Sequence, residues 1–150
     1  MDVEKVRRHI EAHDRLIEIF DMDVEDVKEG RAVVAMTVGP DHLNAAFICH
    51  GAAIYALADV AFALAGNSSG KMALALECAI NYMRPAKPGS RLVANASAIH
   101  QGRKTGVYVV RVTDQEGRDV AFFKATAFRV DAGSLPERSS PPHSDCKMGE

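Results

Sequence analysis

Residues 51–66, GAAIYALADVAFALAG, are apolar on nearly every face and built from good helix formers, with a single charge, Asp59, in their middle. A membrane span needs about 20 apolar residues without a central charge, so this run is too short and too interrupted to cross a bilayer. It predicts a buried helix. Such a helix has no polar stripe for water to cover, and a single antiparallel sheet shelters only one side of it. One subunit is expected to offer it too little cover, and self-association follows.

The flanking segments read as strands and one further helix. Residues 3–20 set Val3, Val6, Ile10, Leu16, Ile17 and Phe20 among charges, which predicts an amphipathic N-terminal helix over 1–20. Valine-bearing runs at 22–28 and 31–38 flank Glu29-Gly30, the signature of a hairpin. His42-Leu43-Asn44, after Gly39-Pro40-Asp41, reads as loop. Beyond Gly70, alternation and β-branched residues predict strands over 72–83, 91–100, 107–114 and 119–130. They are separated by Lys87-Pro88-Gly89, Gly102 to Gly106 and Glu116-Gly117, and such short turns imply mostly antiparallel neighbours. One long helix with about six strands is an α+β pattern, too poor in helices for a doubly wound sheet. The 150 residues suit one domain, expected over 1–131. Residues 132–150, rich in Pro, Ser and Gly, are expected to form a disordered tail.

Composition excludes several function classes. A net charge of −2 supplies no basic excess for phosphate backbones, so no nucleic-acid partner is expected. Cys49, Cys78 and Cys146 are an odd set without CxxC spacing, which argues against a disulfide framework and a structural zinc. His9 and His13 stand i, i+4, but Ile10 occupies the position where HExxH needs glutamate, so no metal is expected. Neither GxGxxG nor GxxxxGK[ST] occurs, hence no nucleotide cofactor is expected. The N-terminus mixes both signs of charge without an apolar core, which points to the cytoplasm rather than to secretion.

Three features could carry chemistry. Asp59 must find hydrogen bonds or become protonated in such apolar surroundings, whether it acts in catalysis or caps a neighbouring loop. At His50-Gly51 the loop becomes the helix, so first-turn N–H groups point at any carbonyl oxygen placed there, as in an oxyanion site. Asn44, in the loop upstream, could present its amide to the same oxygen or form an Asx-turn. Gly51 and Asp59 are about 12 Å apart along one helix, too far to act on one carbonyl from a single chain. A two-fold dimer with antiparallel helices would bring them together. Cys49 reads as an inert buried thiol, because no separate orienting base can be named for it. Arg84, Lys87, Arg91, Arg103 and Lys104 fall at predicted strand ends, where a few could meet phosphates of a nucleotide-like carrier.

The run Asn44-Ala-Ala-Phe-Ile-Cys-His50-Gly51-Ala-Ala-Ile-Tyr-Ala-Leu57-Ala58-Asp59 resembles the N-x5-H-G-G-x4-L-A-D signature of hotdog-fold acyl-CoA thioesterases of the phenylacetate-degradation type. Gly66-Asn67-Ser68, Tyr82-Met83-Arg84-Pro85 and the stretch from His100 to Tyr108 resemble that family's later blocks, so the likeness spans roughly residues 30 to 131. The resemblance implies a hotdog fold, an antiparallel sheet wrapped around the central helix, in dimers that often join as tetramers. It implies metal-free hydrolysis of an acyl-CoA substrate, with no cofactor beyond the coenzyme A of the substrate. Gly51 would polarise the thioester carbonyl, Asn44 would position it or the water, and Asp59 of the partner would attack or activate water. Contacts to substrate are expected from His50, Asn67, Ser68, Arg84, Lys104, Thr105 and Gly106. Ala52 stands where the family's second glycine would be, and Ala63 where some relatives carry threonine. An aryl-acetyl or medium-chain acyl group is expected, in an apolar tunnel beside Tyr55, Phe62 and Met83. Two rival readings are a hotdog dehydratase or hydratase using His50 and Asp59, and a non-catalytic acyl-CoA-binding regulatory module.

Overall fold

A computed structural model of the chain describes residues 2–130 and 135–136. The tail expected over 132–150 lies, apart from Leu135 and Pro136, outside the described residues. Strands β1 (Met22–Lys28), β2 (Arg31–Thr37), β3 (Ala73–Tyr82), β4 (Arg91–Gln101), β5 (Thr105–Thr113) and β6 (Asp119–Arg129) form one antiparallel sheet in the order β1-β2-β4-β5-β6-β3. The sheet curls around one long helix, α3 (Gly51–Asn67), as the resemblance implies.

The N-terminal helix is broken in two, contrary to the expectation of one helix to residue 20. The helices α1 (Val3–His13) and α2 (Arg15–Ile19) meet at Asp14. Its extended backbone closes the first helix through an N–H bond to Ile10 O, while its carboxylate caps the second at Leu16 N. Aspartate at this point offers the backbone a cap in place of another turn. Val6 and Ile10 of α1 are buried against the core.

The β1–β2 hairpin turns at Glu29-Gly30, with Lys28 opposite Arg31 and Gly30 at φ +70. The segment around Lys87-Pro88-Gly89, expected as a turn between neighbouring strands, is instead a crossover: β3 lies at the sheet edge beside β6, while β4 lies between β2 and β5. Backbone bonds Met83 N to Val120 O, Cys49 N to Ala86 O and Gly89 N to Val38 O strap this crossover past the start of α3. It thereby carries Met83, Arg84 and Pro85 to the helix N-terminus.

A single chain covers α3 better than its apolar sequence suggests, which corrects the expectation of too little shelter. Twelve of its 17 residues are buried. The sheet curls round one side, and α1 and α2 close part of the other. What stays open is a stripe through Ala52, Tyr55, Asp59 and Ala63, spaced three or four residues apart on one helix face.

The two sheet edges differ. β1 carries Asp23, Glu25, Asp26 and Lys28 and a bulge at Glu25, features that discourage strand pairing. β3 presents Leu74 (53 % exposed) and Leu76 (63 % exposed), with Glu77 its one charge. Its unpaired edge is open to another strand.

Candidate active site

The loop before α3 is shaped by Asn44. Its Oδ1 accepts from Ala46 N at 2.9 Å and Ile48 N at 3.4 Å, and its backbone N–H donates to Ile48 O. The Asx-turn is thus present, and with the oxygen held by two N–H groups the amide nitrogen is left without a partner among the described residues. Phe47 at the loop tip adopts φ +60 and is 77 % exposed.

Capping of α3 then selects one donor. His50 Nδ1 accepts from Ala52 N at 3.0 Å, and His50 O accepts from Ala53 N and Ile54 N. The N–H of Gly51 alone in this first turn has no partner among the described residues. An imidazole accepting at Nδ1 in its neutral form carries its proton on Nε2. His50 is thus a helix cap and, on its other nitrogen, a donor.

Tyr82 was not singled out as a site residue from the sequence, yet it builds the floor here. Its hydroxyl donates to Gly51 O at 2.8 Å. A Cβ placed on Gly51 would lie 3.0 Å from the Tyr82 ring. A side chain at 51 would thus have to push the end of the Tyr82 ring aside by a few tenths of an ångström, whereas Ala52 is exposed and its methyl meets no such neighbour. The β3 register that sets the half-exposed Tyr82 against the start of α3 is a tertiary fact, invisible in the local Asn-Tyr-Met-Arg pattern.

Asn44, Gly51 and Tyr82 line an open cavity of about 390 Å³ together with Ile54, Met83 and Arg84. Cys49 also borders it, but burial pushes its thiol up to about 11, so it stays protonated near neutrality. A second, more polar cavity of about 360 Å³ continues from Arg84 and Pro85 to Lys87 and Arg118.

Asp59 sits half-buried on the open stripe of α3, two turns beyond this cavity. Burial raises its carboxyl above the ordinary range, and the nearby charge of Asp14 adds to the shift. It has no ion pair or hydrogen bond to a described residue. An unpartnered carboxylate in this position is costly unless something outside the chain uses it.

Other expected residues lie elsewhere. Asn67 Oδ1 accepts from Ala73 N, and its Nδ2 donates to Ala63 O and Ala73 O, so the side chain staples the end of α3 to β3. Ser68 Oγ accepts from Gly30 N and donates to Ala65 O. Both are buried and bonded to the chain's own backbone, so within one subunit each side chain helps to hold the fold. Gly106 is buried too, and a Cβ there would lie 2.8 Å from the Tyr108 ring. Lys104 and Thr105 are exposed beside Arg129, at the far end of β6 from Val120 and Met83. Ten strand residues separate those ends by roughly 30 Å, so one chain does not unite Lys104 with Arg84. Of the expected tunnel, Phe62 is buried against Tyr108 and Phe123, Tyr55 packs edge-on against Phe123, and Met83 alone lines the cavity. Among the described residues no cluster of His, Cys, Asp or Glu could hold a metal ion. Nor, among the described residues, is any helix long and apolar enough to cross a membrane.

Residues 48–121 match the model of the thioesterase superfamily. A protein of Archaeoglobus fulgidus named "Putative esterase" is 45 % identical over 134 residues, covering 89 % of this chain and 87 % of the relative. The acyl-coenzyme A thioesterase PaaI of Escherichia coli is 40 % identical over 118 residues, 79 % of this chain and 84 % of the relative. The solved structure of that E. coli protein, from the phenylacetic acid degradation operon, superposes with a TM-score of 0.86 over 89 % of this chain and 96 % of that one, at 36 % identity. A Streptococcus pneumoniae hypothetical thioesterase solved with coenzyme A gives a TM-score of 0.72 at 31 % identity, covering 77 % and 91 % of the two chains.

Proposed function

The chain belongs to the thioesterase superfamily, and on that premise we propose that it hydrolyses acyl-CoA thioesters to free acid and CoA at a site shared between two chains. The observation that carries this reading is the Gly51 N–H, left free on a cavity wall while its neighbours in the turn are capped. With the Asn44 amide on the same wall, it can stabilise charge developing on a thioester oxygen. Asp59 of the same chain is about 12 Å along the helix, so the acting carboxylate comes from a partner whose α3 runs antiparallel. The unblocked β3 edge supports such a dimer, and pairing of dimers into tetramers would follow the family. That arrangement also brings the partner's Lys104, Thr105 and Gly106 end of the sheet toward Arg84, where cations would meet phosphates of CoA.

The phenylacetic acid degradation operon of the E. coli relative favours an aryl-acetyl group, with medium-chain acyl groups next. The reduced thiols Cys49 and Cys78 fit a cytoplasmic setting. A dehydratase needs a basic histidine nitrogen at the reacting carbon, and His50 spends Nδ1 on its cap and holds a proton on Nε2. A pure binding module would gain nothing from the unpartnered Asp59. The test is a panel of acyl-CoAs assayed for free thiol. Thiol release supports the hydrolase, a change in enoyl absorbance without thiol selects the dehydratase, and saturable binding with neither selects the module.

Two further outcomes are expected. Gly51→Ala should lower kcat/KM by roughly tenfold or more, since its methyl displaces Tyr82 and shifts the donor, and small misplacements cost heavily. Ala52→Gly should stay within about threefold, because that methyl faces the open stripe; equal losses would detach activity from Gly51. Incubation with EDTA or 1,10-phenanthroline should leave turnover unchanged, as the proposed chemistry uses a carboxylate and backbone donors. Loss restored by added zinc would overturn that mechanism.

A further inference from the structure

The described surface holds another cavity, apart from the Gly51 wall. It measures about 440 Å³ and lies between α1 and the far end of the open α3 stripe. Ile10, Ala63, Met72 and Leu74 supply apolar walls together with Leu135 and Pro136, Asn67 borders it, and the stacked rings of His9 and His13, 4.6 Å apart, stand nearer the solvent. Its volume falls within the roughly 300–1,000 Å³ of small-molecule pockets, which are mostly apolar with a few polar groups.

The cavity is tied to Asp59 in two ways. Ala63 follows Asp59 by one helical turn on the same face, so it lies next along the stripe. Asp14, also in the cavity lining, is near enough for its charge to act on the Asp59 carboxyl. A thioester carbonyl held against Asp59 has two arms. The CoA arm leads toward the cations at Arg84 and Lys87 of the chain supplying Gly51, so the acyl arm must leave by the other side.

We propose that the cavity between α1 and α3 binds the acyl group, with Ala63 and Met72 setting the size accepted, a reading that rests on the hydrolase function above. The pocket takes an apolar group of aryl or medium-chain size. It lies on the chain that supplies Asp59, so the N-terminal helix acts as a specificity element. Alanine at 63 leaves open the volume that a larger side chain would fill, and the unbranched Met72 can yield to differently shaped groups.

The experiment compares kcat/KM for acetyl-, octanoyl- and phenylacetyl-CoA in wild type, Ala63→Leu and Met72→Ala. In Ala63→Leu the ratio of octanoyl- or phenylacetyl-CoA to acetyl-CoA should fall by roughly tenfold or more, the scale on which pocket methylenes discriminate. In Met72→Ala the ratio of octanoyl- to acetyl-CoA should rise. Unmoved ratios in both variants, with wild type active, overturn the pocket and leave the hydrolase standing. If Ala63→Leu does not fold, the Met72→Ala profile alone decides. A change of oligomeric state in solution with unmoved ratios would assign the cavity to subunit packing and overturn the proposal. Wild type inert toward every acyl-CoA sinks the hydrolase reading, and the pocket with it.

Discussion

Asp59→Asn is expected to lower kcat by at least about a hundredfold while KM stays within a few-fold, the pattern of a group acting only in the transition state. The same change should make the protein more stable at neutral pH. Burial, with Asp14, raises the Asp59 carboxyl in the folded chain, so the folded state holds this proton more tightly than the unfolded one. The stability linked to that proton is full below the unfolded pKa and lost as pH rises through the raised folded one. Asparagine mimics the neutral carboxyl and escapes the loss. Thermal melts should therefore show a higher Tm for Asp59→Asn at pH 7, with the difference closing in acid. Wild-type kcat/KM should in turn fall as pH drops through that raised value, because a carboxylate that attacks or activates water must be ionised. A variant that binds substrate poorly and melts lower at pH 7 would mark Asp59 as structural.

The second large effect is recovery of activity from two inactive proteins. Asn44→Asp keeps an oxygen to accept from Ala46 N and Ile48 N, so the loop survives, but the donor nitrogen is lost. This variant and Asp59→Ala should each be nearly inactive. Unfolded together and refolded as an equal mixture, random pairing makes half of the dimers mixed, and each mixed dimer has one intact and one doubly damaged site. Activity should return to about a quarter of wild type under two-fold symmetry. Were both residues drawn from one chain for each site, no pairing could rebuild one. Mixed dimers verified by mass that remain as inactive as their parents would sink the shared site.

The elements were largely legible because their signals are local. Alternation and β-branched residues placed the last four strands, valine-bearing runs around Glu29-Gly30 placed the first two as a hairpin, and continuous apolarity placed α3. The break at Asp14 was less visible, since aspartate in an amphipathic run reads equally as a solvated charge or a cap until the chain direction is known. The Lys87-Pro88-Gly89 crossover looked like a hairpin turn because a turn signal says where a strand ends, and not which strand comes beside it.

Among the candidate residues the division is similar. The helix rise alone separated Gly51 from Asp59 and called for a second chain, and the order Asn44, His50-Gly51, Asp59 marked the chemistry. Asn67 and Ser68 were less legible, because a polar pair after a helix looks the same whether it meets a ligand or satisfies its own backbone. Tyr82 and the cavity beneath α1 were not legible, since each depends on residues distant in sequence packing against α3.

By itself, then, the sequence determined the types of element, the lone carboxylate in an apolar helix and the donor at that helix's start, because propensity, periodicity and rise per residue act over a few positions. Only the tertiary structure decided that Tyr82 presses on Gly51, that His50 caps the turn and leaves one N–H free, and that β3 is the open edge. Those follow from strand order and burial, which are set by the whole chain closing on one core.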